Sequence, residues 1–265
     1  NDVAVSAGLG GTVVDFDVLA DEQCDPDPTI STNPASGSVF EHGVTTVMAT
    51  ATDACTNSSD CTFDVIVSCF GVNDMRIEWP GASDSDSDSD SASDDYEEEE
   101  EDDDGTVEIQ GSFAPGAPID LTTEDVTYTL NDANGHTFSF VIPGGSFESN
   151  GSFNDRKYKF KSDERAVPRI EAELDFGKCE FRLNVSRVAN INDIVGTSMA
   201  MTLQAGKNLG QEVVEARDRR GYLEYRSRPK LDCCNREDSD DSDGGDSDLE
   251  SDSDGGSDSV TDRDD

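Results

Sequence analysis

Apolar and polar residues alternate along most of the first 69 positions. Val14, Phe16 and Val18 fall on one face, with Val13, Asp15 and Asp17 opposite. Val47, Ala49 and Ala51 alternate with Thr46, Met48 and Thr50, and Phe63, Val65 and Val67 with Thr62, Asp64 and Ile66. A period of two is that of a half-buried strand, since successive side chains point to opposite faces. Turn-forming pieces, Asp25-Pro26-Asp27-Pro28 and Pro34-Ala35-Ser36-Gly37, punctuate the strands, and no helical period appears. Residues 1–69 are therefore expected to form a β-sandwich. The same alternation returns over 106–216, in Val126/Tyr128/Leu130, Phe138/Phe140/Ile142, Ile170/Ala172/Leu174/Phe176 and Cys179/Phe181/Leu183/Val185. Gly177-Lys178 reads as a two-residue hairpin loop placing Phe176 opposite Cys179, so both apolar sets share one face. A second hairpin is expected at residues 131–135. A second sandwich of roughly seven to nine strands follows.

Charge divides the chain further. It carries 60 acidic and 19 basic residues in 265, a net charge of -41. Residues 83–104 hold 14 acids and no base, and residues 237–265 hold 14 acids and one base, Arg263. Such segments bury too little apolar surface to offset chain entropy. The expected organisation is all-β: a sandwich over 1–69, a disordered acidic linker over 70–105, a second sandwich over 106–216, a basic connector over 217–236 and a disordered acidic tail over 237–265. The connector holds Arg217, Arg219, Arg220, Arg226, Arg228 and Lys230 beside Tyr222 and Tyr225. Its expected partner is the chain's own acidic tail, because the bulk charge repels nucleic acid. No apolar run approaches 18 residues, so no membrane-spanning helix is expected. No charged segment followed by an apolar core is visible from Asn1 onward, so no signal peptide is read in this sequence, and the chain is expected to be a fragment or a processed form.

The cysteines are Cys24, Cys55, Cys61, Cys69, Cys179, Cys233 and Cys234. None forms a CxxC pair, which speaks against zinc and for disulfides in an oxidising compartment. Their odd number leaves at least one thiol free or paired between chains. His42 and His136 lie beside glycines in turns and read as solvated; no G-x-S-x-G or H-E-x-x-H motif occurs. The chain is expected not to be an enzyme and to need no cofactor. Calcium has the one spacing argument. Ser239, Asp241, Asp243, Gly244 and Glu250 match a calcium loop except at its first position, and Glu250, Asp252, Asp254 and Gly255 begin a second copy that ends on Thr261. Without flanking helices, Asp241, Asp243, Glu250, Asp252 and Asp254 are expected to bind Ca²⁺ or other divalent cations weakly. Serines of the Ser-Asp tracts are also open to phosphorylation.

Pro34-Ala35-Ser36-Gly37-Ser38-Val39-Phe40, Gly43-Val44-Thr45-Thr46-Val47, Ala51-Thr52-Asp53 and Cys61-Thr62-Phe63-Asp64-Val65 fall in register with one known pattern. In them the first 69 residues resemble the hyalin-repeat (HYR) module. The resemblance implies an immunoglobulin-like sandwich of extracellular, often multidomain proteins linked to cell adhesion, with no catalytic residues, and the second sandwich is expected to be immunoglobulin-like as well. Two inner cysteines frequent in that family are here Thr32 and Ala49. Cys24 and Cys61 then remain as the implied outer disulfide, with Cys55 a rival partner for Cys24. Residues 124–127 and 138–147 are similar to an uncharacterised β-module of bacterial secreted proteins, which implies no activity. The resulting expectation is a secreted or cell-surface, non-enzymatic adhesion or matrix protein that binds an extracellular protein or glycan. The alternatives are an acidic calcium-binding or mineral-associating protein and the accessory region of a larger secreted enzyme.

Overall fold

The alternating segments become strands, and almost no helix forms among the described residues. A computed structural model of the chain describes residues 1–8, 10–21, 27–80, 105–149, 157–188, 191–194 and 196–234. In chain order the strands are β1 (Val3–Ala7), β2 (Thr12–Val14), β3 (Thr29–Asn33), β4 (Ser38–Phe40), β5 (Gly43–Thr52), β6 (Ser58–Glu78), β7 (Gly105–Ala114), β8 (Val126–Asp132), β9 (Thr137–Ile142), β10 (Glu148–Ser149), β11 (Lys157–Lys161), β12 (Arg169–Asp175), β13 (Glu180–Val188), β14 (Ser198–Ala205), β15 (Asn208–Glu215), β16 (Arg217–Arg219) and β17 (Tyr222–Arg226). One 3-10 turn, Ile191–Asp193, interrupts them. Asn1–Asn235 pack as one unit; residues 236–265 lie outside the described residues.

Strand β6 organises the first unit. Val65 to Val72 are buried without a break, as in a strand covered on both faces. Phe63, Val65 and Val67 point to one side and meet Val14, Phe40 and Val47. Phe70 and Val72 have the opposite parity and join a larger core with Phe113, Phe181 and Met201. One strand thus closes two cores on opposite faces. A bulge between Val72 and Asp74 resets the alternation, so Met75 and Ile77 also enter the larger core.

The smaller core sits between the sheet β3-β5-β6-β1, in which β1 runs parallel to β6, and the β2–β4 pair. Phe16 packs edge-on against Phe63 with centroids 5.0 Å apart. The larger core lies between the run β10-β11-β12-β13-β7-β6-β17-β16 and the four-stranded sheet β15-β14-β8-β9. Leu174 opposite Phe181 and Ala172 opposite Leu183 keep the expected hairpin register. The turn itself takes in residues 176–179, with Cys179 left-handed at φ 52°. Each large side chain buried here, Phe113, Phe181, Leu174 or Ile77, contributes about 1.5–3 kcal/mol. Gly111 has no room for a side chain, since a Cβ would run into the Gly71 carbonyl and the Phe181 ring. The buried Tyr128 hydroxyl has no hydrogen-bond partner among the described residues, and burial pushes its pKa upward. Removing an unpaired polar atom should help, so Tyr128→Phe is expected to raise stability by about 1 kcal/mol in urea unfolding.

Two expected boundaries move. The linker placed over 70–105 begins later, because residues 70–78 complete β6 and Gly105 opens β7; Glu78 pairs with Thr106. The cores are therefore not held apart by an acidic spacer but share β6, and residues 79–104 connect two neighbouring strands. The basic connector placed over 217–236 holds β16 and β17, and β17 pairs with β6 from Tyr222–Glu78 to Arg226–Asp74. With β6, β16 and β17 recruited, the second sandwich has more strands than expected. Its outer positions are charged, and the middle of β6 does not alternate because both faces are covered.

After β17 the chain folds back as a strap over the outer face of the larger sheet. Asn73 and Leu231 exchange two hydrogen bonds, Leu231 N to Asn73 Oδ1 at 2.9 Å and Asn73 Nδ2 to Leu231 O at 3.1 Å. Ser112 Oγ donates to the same Leu231 carbonyl at 2.5 Å. Leu231 covers Gly71, where a side chain would collide with it. Cys233 then bridges to Cys69 in β6, and Cys234 to Cys179, each with Cα atoms 5.6 Å apart.

Candidate functional site

The outer face of the larger sheet is built from cross-strand rows of polar side chains. In one row Lys159, Glu173, Arg182, Gln110, Asp74 and Arg226 sit opposite one another across β11, β12, β13, β7, β6 and β17. In the next, Lys161, Glu171, Asn184, Glu108, Arg76, Glu224 and Arg217 do so, ending on β16. Alternating sign stabilises such rows, because opposed strand residues are in contact. Lys161 reaches Glu171 at 2.9 Å, Gln110 Nε2 donates to Asp74 at 3.0 Å, and Arg76 stacks 4.1 Å over the Tyr222 ring. A shallow depression of about 470 Å³ over β13, β7, β6 and β17 exposes Arg76, Glu108, Gln110, Arg182, Asn184 and Arg226.

At the β16–β17 edge this face runs into a second depression, of about 710 Å³, lined by Glu215, Arg217, Arg219, Glu224, Tyr225, Arg226 and Arg228. Glu224 pairs with Arg226 at 2.9 Å and lies 3.9 Å from Arg219. Asp74 holds Lys230 at 3.1 Å. The chemistry on offer is hydrogen bonding and ion pairing by exposed arginines set on hydrogen-bonded strands.

The smaller sandwich has its own cleft, of about 360 Å³, at the open end of its core. Ile30, Ala49, Ala51 and Cys61 form one wall, and Val18 to Asp21 and Pro28 the other. The sandwich is fastened to the larger core at a polar junction. The fully buried Asn208 accepts from Ser68 Oγ at 3.2 Å and from Ala117 N at 2.7 Å, and donates to Ala117 O at 3.0 Å. His42 Nε2 donates to Ala114 O at 3.0 Å, and Lys207 pairs with Asp2 at 2.7 Å.

Residues 4–67 match the HYR domain. The HYR domain is an immunoglobulin-like, adhesion-associated module of extracellular and cell-surface proteins, in keeping with the resemblance carried by Pro34–Phe40 and Cys61–Val65. An adhesive or structural role is the coarse function that goes with it, and two disulfides fit an extracellular setting. No curated protein matches the chain. The matched residues end within β6, so the HYR module supplies one half of that strand and the larger sandwich uses the other.

The other expected site residues fall in three places. Asp241, Asp243, Glu250, Asp252 and Asp254 lie outside the described residues, as does the acidic tail read as partner of the basic connector. Among the described residues no group of three or more His, Cys, Asp or Glu is arranged to hold a metal. Cys24 also lies outside the described residues, while Cys61 and Cys55 are exposed and have no disulfide partner among the described residues. The disulfides among the described residues involve Cys69, Cys179, Cys233 and Cys234, which the sequence reading left unassigned. A signal for them exists: adjacent cysteines have Cα atoms about 3.8 Å apart, short of the usual 4.4–6.8 Å or so for a bridge, so each needs a distant partner.

The histidines are more than solvated turn residues. His42 spans the junction, and His136 Nδ1 lies 2.9 Å from Asp132 Oδ2, a carboxylate with no side-chain exposure. The hydrogen bond to Asp132 holds the His136 pKa above its usual 6.5. A raised value means the pair's contribution is complete below pH 6.5 and fades as pH rises through the folded-state pKa. NMR titration of the ring should show this, and Asp132→Asn should bring the midpoint back down. A midpoint below 6.5 in the parent protein would contradict the pairing.

Proposed function

We propose that the chain is a non-enzymatic extracellular adhesion or matrix protein, in which a HYR module is held rigidly on a second β-sandwich whose open face binds a partner. The observation that carries this reading is the continuity of β6 through both cores, reinforced at the Asn208 junction. A strand paired on both sides transmits load through many backbone hydrogen bonds at once, which suits a protein that holds surfaces together. The outer face beyond the strap, polar and exposed, is the surface offered to a partner. Protein coupled to beads is expected to retain them on cells or isolated extracellular matrix under flow, and reduction of the disulfides is expected to abolish retention. Beads that wash off as readily as albumin-coated beads would contradict the reading. Turnover of ester, peptide or glycoside substrates would replace it with an enzymatic one.

The same reading includes a Cys24–Cys61 bridge in the HYR module. Asp21 and Pro28 flank residues 22–26 on either side and line the cleft that Cys61 enters. A bridge there would close the open end of the small core. Peptide mapping without reductant is expected to link Cys24 to Cys61, and a Cys24–Cys55 peptide in its place would refute the pairing.

A further inference from the structure

We propose that the β16–β17 edge binds the anionic groups of a short sulfated glycan. This deepens the adhesive reading and rests on it for the choice of an extracellular ligand. Four of the chain's 19 basic residues, Arg217, Arg219, Arg226 and Arg228, converge on one depression of about 710 Å³. Arg217 and Arg228 have no ion pair among the described residues, and Arg219 approaches Glu224 only to 3.9 Å. Alternate residues of a strand lie about 6.5–7 Å apart on one face, so Arg217 and Arg219 present two guanidinium groups side by side. A guanidinium is a planar fork that binds an oxyanion through two parallel hydrogen bonds, which an ammonium does not. Tyr225 supplies a partly apolar wall against which a sugar ring can lie.

Glu215 and Glu224 in the same depression set the ligand class. They disfavour a continuous line of negative charge and favour a few anionic groups spaced by neutral ring. Arginines on a short edge strand also guard against edge-to-edge pairing, and the experiment separates that role from binding.

The test is calorimetric titration of the full chain with a heparin hexasaccharide, its desulfated form, inorganic sulfate and a single-stranded oligonucleotide of matched charge. The sulfated hexasaccharide is expected to bind, the desulfated form and free sulfate not, and the oligonucleotide at least ten-fold more weakly. Arg217→Ala with Arg228→Ala should cost ten-fold or more in affinity, while Arg165→Ala, an exposed change elsewhere, should cost nothing. Arg217→Lys with Arg228→Lys keeps the charge but not the fork and should fall between. Circular dichroism should be the same for all variants. Oligonucleotide binding as tight as the glycan's would overturn the proposal in favour of an unselective anion patch. Affinity unchanged in Arg217→Ala/Arg228→Ala would move the site elsewhere. No binding, with self-association of that variant, would leave the arginines as edge guards only. Bead retention that survives Arg217→Ala/Arg228→Ala would keep the adhesive reading while removing this site from it.

Discussion

Cutting the chain between Ser93 and Asp94 is expected to leave one molecule rather than two. A recognition site for a specific protease inserted there would divide the sequence into a piece with all of β6 and of the HYR module and a piece with β7 to β17. The pieces stay joined in two ways. Cys69 in the first is bonded to Cys233 in the second, so a non-reducing denaturing gel should show a single species and a reducing gel two. β6 also lies between β7 and β17, both from the second piece, with residue pairs running from Cys69–Ala114 to Glu78–Thr106 and from Tyr222–Glu78 to Arg226–Asp74. Even with Cys69→Ser and Cys233→Ser, the cut pieces should co-elute in native gel filtration. Separation without denaturant would mean that the halves are independent domains.

Loss of the strap's two bridges should have the largest effect on stability. Cys69–Cys233 spans 164 residues and Cys179–Cys234 spans 55. Chain-entropy reasoning gives about 5 and about 4 kcal/mol for loops of these lengths taken singly, and less than the sum together, since the first bridge shortens the loop the second closes. Cys233→Ser with Cys234→Ser is therefore expected to cost about 5 kcal/mol or more, against a total of about 5–15 kcal/mol for ordinary domains. It should also release Leu231 from Gly71 and expose Cys69 and Cys179, which are buried with Ala114 under the strap. Guanidinium unfolding measures the loss; a change under about 1 kcal/mol would show that the strap is not a staple.

Much of the fold was legible because half-buried strands announce themselves. Val14, Val47, Val65 and Val67 each fell on the apolar face of its own strand by period two, and they share one core. Leu174, Phe181 and Leu183 were placed on one face by the hairpin register and are buried there. The shared strand was missed for a physical reason. Val65-Ile66-Val67-Ser68-Cys69-Phe70-Gly71-Val72 is apolar at nearly every position because each face serves a different core, so the alternation that marks a strand disappears where burial is greatest. Beyond the bulge at Asn73, Asp74, Arg76 and Glu78 look like the start of the acidic run that follows. The edge cleft was half legible: Arg217 to Arg228 stood out as basic, but only pairing with β6 makes a sheet edge of them. The HYR pattern located the module, yet it stops within β6 and carries no information on what the strand does next.

The claim that two cores share one strand is tested most directly by native-state hydrogen exchange along β6. Val65 and Val67 belong to the HYR core, Met75 and Ile77 to the larger one. If the strand is common to both, the slowest amides of the two halves should exchange through the same global opening, with equal free energies and the same dependence on denaturant. A Val65–Val67 segment that opens about 2 kcal/mol more easily than Met75–Ile77, with its own smaller denaturant dependence, would contradict the account.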